Sequence, residues 1–371
     1  MSAALRLARR GYGATSPNPM VGAILVKTGR IIGRGWHRRA GEPHGEIEAL
    51  QDAAKRGHNP KGATLYVTLE PCCTHGRTPP CTDAIIGAGI KRVVVGAVDP
   101  NPRHCGKGLA LLKHAGISVA QGVLSNECNQ LNETFNHWIV HRTPFVTVKA
   151  AMTLDGKIAT ASGESKWITG EKARARGMKL RQGADAVLVG INTILADNPT
   201  LTFRTVRSPK SKVQSHVIRR LVLDSMARTP LAANILREQD VAPTTVVVGK
   251  TAPKRRVAAL RRRANVLVCP LQLSTSAPGL NLRWLLKEIG FEGITSLLVE
   301  GGGEVNASFL LQGLAHRVAF FYAPKILGGR NSRCGIAGNG MSAIHGAIQL
   351  DQPNWRKLGP DLLLTGRVLP H

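Results

Sequence analysis

A chain of 371 residues, 43% hydrophobic and 4% aromatic, is long enough for two ordinary domains and too apolar to stay disordered. Fifty Lys and Arg against 23 Asp and Glu give a formal charge of +27, which raises either a nucleic-acid partner or a phosphorylated small molecule. No uncharged apolar run reaches about eighteen residues, and residues 1–11 lack a signal-peptide core, so a soluble cytoplasmic protein without membrane association is expected.

Residues 3–10, with Ala4, Leu5, Leu7 and Ala8 on one stripe, read as a helix stopped by Gly11 and Gly13. Residues 21–26 read as a strand and 30–36 as its hairpin partner. Between helix and strand, Pro17 and Pro19 keep Asn18 out of regular structure, leaving its amide to face a ligand or to close an Asx turn. Residues 44–54 have helical spacing, 63–69 read as a strand, 81–87 as a helix and 91–98 as a strand. This alternation implies parallel strands in a three-layer sandwich, with Asp99 and Asn101 emerging at a strand end, where ligands collect. Residues 126–142 read as one helix capping the first domain. Thr143-Pro144 then marks a boundary, because the residue before proline is pushed out of helix, giving domains 1–143 and 144–371.

In the second half, residues 145–151, 184–189, 220–224, 244–248, 265–268, 296–300 and 317–322 are strand-like, with helical stretches between. The cationic run 250–263 reads as the solvated face of an amphipathic helix. The alternative, a nucleic-acid site, is weakened because no aromatic residue interleaves with the cations. Glu300-Gly301-Gly302-Gly303-Glu304-Val305 joins a strand to a helix running to Leu314. Such a turn lets backbone approach a ligand while the helix N-terminus offers N–H groups to phosphate, although a plain turn is the alternative and no G-x-G-x-x-G is present.

The chemistry concentrates in His44-Gly45-Glu46 and Glu70-Pro71-Cys72-Cys73-Thr74-His75-Gly76-Arg77-Thr78-Pro79-Pro80-Cys81. The seven cysteines (72, 73, 81, 105, 128, 269, 334) are odd in number and irregularly placed, which argues against a disulfide framework and for metal binding by the clustered three. His44, Cys72 and Cys81 would hold Zn²⁺ and lower the pKa of a water towards about 7, with Glu46 left to move protons. The alternatives are a structural zinc clip, which usually takes four protein ligands, and buried unliganded cysteines. Cys73 is a competing ligand only if two adjacent residues can reach one ion.

The eight residues between Cys72 and Cys81, together with Pro17-Asn18-Pro19-Met20-Val21-Gly22, Gly35-Trp36-His37, Ala40-Gly41-Glu42-Pro43-His44 and Asp99-Pro100-Asn101-Pro102, resemble the bifunctional deaminase-reductase family of riboflavin biosynthesis. Lys149-Ala150-Ala151-Met152-Thr153-Leu154-Asp155-Gly156-Lys157, Ser162-Gly163-Glu164-Ser165-Lys166-Trp167-Ile168-Thr169 and Leu195-Ala196-Asp197-Asn198-Pro199-Thr200-Leu201-Thr202 extend the resemblance over nearly the whole chain. It implies a cytidine-deaminase-like three-layer α/β/α domain followed by a dihydrofolate-reductase-like α/β domain, with Zn²⁺ and NADPH as cofactors. It further implies that Asn18, His37, Arg77, Asp99 and Asn101 hold a phosphorylated pyrimidine, with Glu46 catalytic. In the second domain Ser165, Arg181, Leu201, Arg204 and Glu300 would face the ribosylaminouracil phosphate. Ala151, Trp167, Thr169, Thr193, Asp197, Ser225 and Gly301 to Gly303 would face the nicotinamide dinucleotide. Lys149 and Asp197 would steer or protonate the opened sugar that accepts hydride.

The sequence departs from the family pattern at Gly45 (usually alanine), Cys73 (another small polar residue), Arg77 (lysine), Asn192 (a second glycine) and Ala315-His316-Arg317 (which replaces an acidic pair and is read here as surface). A small-molecule substrate, no nucleic acid and a homo-oligomer are expected. The rival is an RNA-editing nucleobase deaminase with a basic nucleic-acid-binding C-terminal module. A third reading makes the reductase half a degenerate scaffold.

Overall fold

Runs of β-branched residues set the two large sheets of the computed structural model, which describes residues 1–75, 79–202, 217–272 and 279–370. The chain divides into two units, Met1–Arg142 and Thr143–His371.

The first unit runs α1 (Ser2–Ala8), β1 (Gly22–Lys27), β2 (Arg30–Trp36), α2 (Gly45–Lys55), β3 (Thr64–Leu69), α3 (Cys81–Gly87), β4 (Arg92–Ala97), α4 (Lys107–His114), β5 (Ser118–Gln121), α5 (Ser125–Leu131) and α6 (Glu133–His141). The strand order is β2-β1-β3-β4-β5. Strand β1 is antiparallel to β2 and β3, whereas β3, β4 and β5 are parallel. Because side chains alternate along a strand, Ile24 packs on Ala4 and Leu7 of α1, while Ala23 and Leu25 join Ala49 and Ala53 of α2 in the larger core. Each fully buried Leu or Ile there contributes about 1.5–3 kcal/mol. Helix α2 lies directly on the hairpin, since a Cβ at Gly35 would sit 2.2 Å from the Gly45 carbonyl oxygen.

The single helix expected over 126–142 is two, broken at Asn132. The buried Asn132 side chain accepts from Met20 N at 2.8 Å and donates to Met20 O at 3.0 Å, so it serves the loop before β1 rather than a helix face.

The second unit contains β6 (Phe145–Thr153), β7 (Lys157–Ala159), α7 (Glu171–Gln182), β8 (Ala186–Gly190), α8 (Ile191–Asp197), β9 (Arg219–Leu223), β10 (Thr244–Gly249), α9 (Lys254–Arg261) and β11 (Asn265–Cys269). There follow β12 (Leu271–Gln272), β13 (Gly279–Leu280), α10 (Leu282–Phe291), β14 (Ser296–Val299), α11 (Gly303–Leu311), β15 (Arg317–Ala323), β16 (Arg333–Cys334), β17 (Leu350–Leu358) and β18 (Asp361–Val368). The main sheet has the order β11-β10-β9-β8-β14-β6-β15-β18-β17. It is parallel as far as β15, and β18 and β17 add antiparallel.

Strands β8 and β14 are buried along their whole length, as a parallel sheet covered on both faces requires. Along β8, Ala186 and Leu188 pack with α10 and α11, while Val187 and Val189 pack with Ile194 of α8 and Leu260 of α9. Helix α10 begins at Asn281, whose side chain accepts from Trp284 N at 2.9 Å.

The helix expected to reach Leu314 ends at Leu311. Ala315 and His316 are not surface residues without contacts. Ala315 belongs to the core, and His316 accepts from Val146 N at 2.9 Å through Nδ1 while stacking on Phe145. An acidic residue at 316 would lose the stacking on Phe145.

Candidate active site

In the first unit, three elements converge. His44 is the N-cap of α2, Cys72 follows β3, and Cys81 opens α3. Cys72 Sγ lies 3.6 Å and Cys81 Sγ 3.3 Å from His44 Nδ1, and the three ligand atoms all fall within 4.8 Å of one another. Among the described residues this is the one such group. The hydrogen bond from Cys81 pulls the Cys72 thiol down to about 4, with His44 helping, while facing that thiolate holds the Cys81 thiol up. Cys72 is thus the more readily deprotonated of the two. Soft thiolates with one imidazole suit Zn²⁺, and three ligands leave a position open.

Glu46, the second residue of α2, is only 2% exposed, and its Oε2 has no hydrogen-bond partner. Burial pushes its carboxyl up to about 7 against the pull of His44. An orphaned carboxylate oxygen beside a His-Cys-Cys group fits a metal site that needs a proton carrier. Gly45 between them faces Val21, where a Cβ would lie 2.9 Å from the carbonyl oxygen, so alanine would require the segment just before β1 to give way.

Cys73 turns away from the group, its Sγ 3.5 Å from His104 Nδ1. Zinc content should accordingly be lost in His44→Ala, Cys72→Ala and Cys81→Ala and kept in Cys73→Ser, as measured by elemental analysis. Loss in Cys73→Ser would overturn the ligand set.

His37 is 1% exposed, and its ring meets that of His44 edge-on at 5.1 Å. Its Nδ1 donates to Pro43 O at 3.1 Å, and burial holds its pKa down, so Nε2 is left to accept from the Asn18 amide at 3.2 Å. The structure thus brings Asn18, His37 and His44 together. Asp99 and Asn101 lie on the loop after β4, where Asp99 Oδ1 accepts from Asn101 N at 2.8 Å; burial pushes Asp99 up to about 6. Arg77 and Arg204 lie outside the described residues.

Glu70 carries this loop and was not singled out from the sequence. Its Oε2 accepts from Asp99 N at 3.2 Å and Gly106 N at 2.9 Å, and its Oε1 from Gly108 N at 2.9 Å. His104 Nδ1 adds a bond from Cys73 N at 3.4 Å. A signal was present in the position of Glu70, at a strand end immediately before Pro71-Cys72, where a buried carboxylate must find donors.

In the second unit, Glu300 at the end of β14 accepts from Arg181 of α7 through Nε at 2.5 Å and Nη2 at 2.9 Å, and from Lys149 of β6 at 3.4 Å. Burial alone would raise Glu300, but Lys149 and Arg181 outweigh it and hold the carboxyl at about 2. Arg181 also donates to Thr202 O at 3.4 Å, and Ser165 donates to Asp197 at 3.1 Å. The Leu201 side chain is buried in the core, leaving its backbone for a ligand. Ala151 packs on Ala173 and Phe321. Trp167 is 66% exposed beneath Arg174, which also donates to the carbonyl of buried Thr169 at 2.7 Å.

Gly301 to Gly303 lead into α11. A Cβ at Gly301 would meet Val305 at 2.5 Å, and one at Gly303 the Cys334 carbonyl oxygen at 2.3 Å. At Gly302 it would meet nothing nearer than Thr193 Oγ1 at 4.0 Å, so this backbone is open on the side of Thr193. No side chain caps α11, which leaves its first N–H groups for phosphate oxygens, a fit for a dinucleotide. Ser225 lies exposed after β9, two strands from the glycines.

The two units define a zinc-type pyrimidine deaminase domain joined to a reductase domain. Residues 1–97 match the cytidine and deoxycytidylate deaminase zinc-binding region, and residues 144–364 match the RibD C-terminal domain. The chain is 44% identical to riboflavin biosynthesis protein RibD of Aquifex aeolicus over 98% of its own length and 96% of that protein. With the protein of the same name from Escherichia coli it shares 38% identity, covering 98% and 97% of the two chains. The Thermotoga maritima diaminohydroxyphosphoribosylaminopyrimidine deaminase/5-amino-6-(5-phosphoribosylamino)uracil reductase superposes with a TM-score of 0.83 at 36% identity, covering 100% and 97%. Acinetobacter baumannii RibD does so at 0.84 and 33% identity, covering 99% and 97%. The chain belongs to the RibD family of bifunctional riboflavin biosynthesis enzymes, with a cytidine-deaminase-like domain followed by one of dihydrofolate-reductase-like fold.

Proposed function

We infer that the first domain removes the exocyclic amine of 2,5-diamino-6-(5-phosphoribosylamino)pyrimidin-4-one and that the second reduces the ribosyl group to ribityl. The observation that carries this is a buried Glu46 with an unpartnered oxygen beside His44, Cys72 and Cys81, in a chain whose other half holds the Lys149-Glu300-Arg181 network.

His44, Cys72 and Cys81 would hold zinc, which when bound activates a water for attack. Glu46 would carry one proton of the attacking water to the ring nitrogen and then the second to the departing ammonia. The Asn18 and His37 pair orients the pyrimidine. Asp99 and Asn101 hold the ribosyl end, and Arg77 supplies a cation for the phosphate.

NADPH supplies hydride when bound to the glycine turn, Ala151, Trp167, Thr169, Thr193 and Ser225. Ser165, Arg181, Leu201, Arg204 and Glu300 fix the phosphoribosyl group. Lys149 and Asp197 stand as the proton carriers for the opened sugar.

The partner is a small phosphorylated pyrimidine, which makes use of the strong positive charge. The family assignment does not favour the RNA-editing alternative, and the cationic helix α9 is read as solvated surface. Among the described residues no helix is long and apolar enough to cross a membrane. We take the protein to act in the cytoplasm as a homo-oligomer.

The test supplies the diaminopyrimidine phosphate with and without NADPH and identifies both products. Ammonia release without NADPH, followed by a ribitylamino product on its addition, is expected. Deamination with no reduction at any NADPH concentration would favour the scaffold reading of the second domain.

A further inference from the structure

The parallel strands of the second unit end on one edge, in the order β10, β9, β8, β14. Along that edge stand Gly301 to Gly303 after β14, Thr193 in α8 after β8, and Ser225 after β9. A dinucleotide whose pyrophosphate lies at the glycine turn and which passes Thr193 therefore reaches the turn after β9 with its far, adenosine end.

That turn is built to present one cation and to withhold a carboxylate. Asp224 is 0% exposed, and both its oxygens are committed. Oδ1 accepts from Arg228 N at 2.8 Å, and Oδ2 from Thr229 N and Thr229 Oγ1, both at 2.7 Å. The turn is pinned from behind by Arg256, whose Nε donates to Ala227 O at 2.6 Å, and by Gly249 N donating to Ser225 O at 2.9 Å. In Rossmann sites an exposed acid binds the ribose hydroxyl of NAD whereas an arginine accommodates a 2′-phosphate, and the same charge chemistry holds for any fold that brings an adenosine ribose to an arginine. Here the acid is consumed and the arginine is exposed.

Arg228 meets no carboxylate within ion-pair distance among the described residues. Its Nη2 instead donates to Asn192 Oδ1 at 2.9 Å. Asn192 is the residue that stands where the family pattern has glycine, and its amide aims the guanidinium across the gap between β8 and β9. An amide oxygen orients a guanidinium without neutralising it, so the charge and the remaining N–H donors stay available for an anion.

We propose that Arg228, aimed by Asn192 and seated beside Ser225, recognises the ribose 2′-phosphate of NADPH and so sets the preference for NADPH over NADH. The inference rests on the assignment of this edge to the dinucleotide.

The experiment is calorimetric binding to the full-length protein, with NADPH, NADH, adenosine 2′,5′-bisphosphate and adenosine 5′-diphosphate as ligands. Arg228→Ala should weaken NADPH and the 2′,5′-bisphosphate about 10- to 100-fold, as expected for lost charge-assisted bonds, and leave NADH and the 5′-diphosphate within about twofold. Arg228→Lys should recover part of the loss, because it restores the charge without the fork. Asn192→Gly should weaken NADPH less than Arg228→Ala does. Equal weakening of NADPH and NADH, or unchanged 2′,5′-bisphosphate affinity in Arg228→Ala, would overturn the proposal while leaving the reductase reading intact. Failure of the native protein to bind NADPH would overturn both.

Discussion

In Glu46→Gln, ammonia release should fall by about 10²–10⁴-fold while zinc is retained and reduction of supplied deaminated substrate continues at the native rate. The substitution keeps size and hydrogen-bonding capacity in a site where only 2% of the residue is exposed, so the fold has little reason to respond. What is lost is the ability to accept a proton, which the buried carboxylate has when its pKa stands near neutrality. Mixing this variant with one carrying Lys149→Ala and Asp197→Asn should restore the path from diaminopyrimidine to ribitylamino product, provided the intermediate is released. Loss of reduction in Glu46→Gln alone would mean that one centre performs both reactions.

Glu300→Ala should be the most damaging single change in the second unit. It strands Arg181 and Lys149, both largely withdrawn from water, and breaking a buried ion network in this way costs about 3–5 kcal/mol. NADPH oxidation should fall about 10²-fold or more as both cations lose their positions. Chemical denaturation and NADPH absorbance measure the two effects separately. The native carboxyl is held at about 2, below its ordinary 4.5, so its contribution is fully present above about pH 4.5. That contribution disappears as pH falls towards 2, and amounts to about 3 kcal/mol over the window. Glu300→Gln should flatten this part of the stability profile. An unchanged acid limb would show that the network does not stabilise the fold.

The zinc cluster was legible because metal chemistry allows few residue types and sets their placement. The central strands were legible because strands buried on both faces, such as residues 186–189, must be continuously apolar. Glu70, Asn132 and Asp224 were not, because each is satisfied chiefly by backbone groups, which nearly every residue type offers equally. The break at Asn132 depends on a loop 112 positions away in sequence, where no helical periodicity could show it. Strand β17 was missed for the opposite reason. Its residues are mostly exposed and polar, and its pairing with β18 alone makes it a strand. At Asn192 the unusual residue was visible, but its partner Arg228 was not.

Glu70 has a thermodynamic consequence. It sits next but one to Cys72 and grips three N–H groups of the segment that bears Asp99 and Asn101, while His104 reaches back to Cys73. Two loops that are remote in sequence are thereby joined into one body, so ordering either one spares part of the entropy of ordering the other. Metal and pyrimidine affinity are then linked, and linkage is reciprocal. Substrate should tighten the equilibrium binding of zinc, measured by competition with a chelator, by the same factor by which zinc tightens substrate, and a cell short of zinc would lose substrate recognition together with the chemistry.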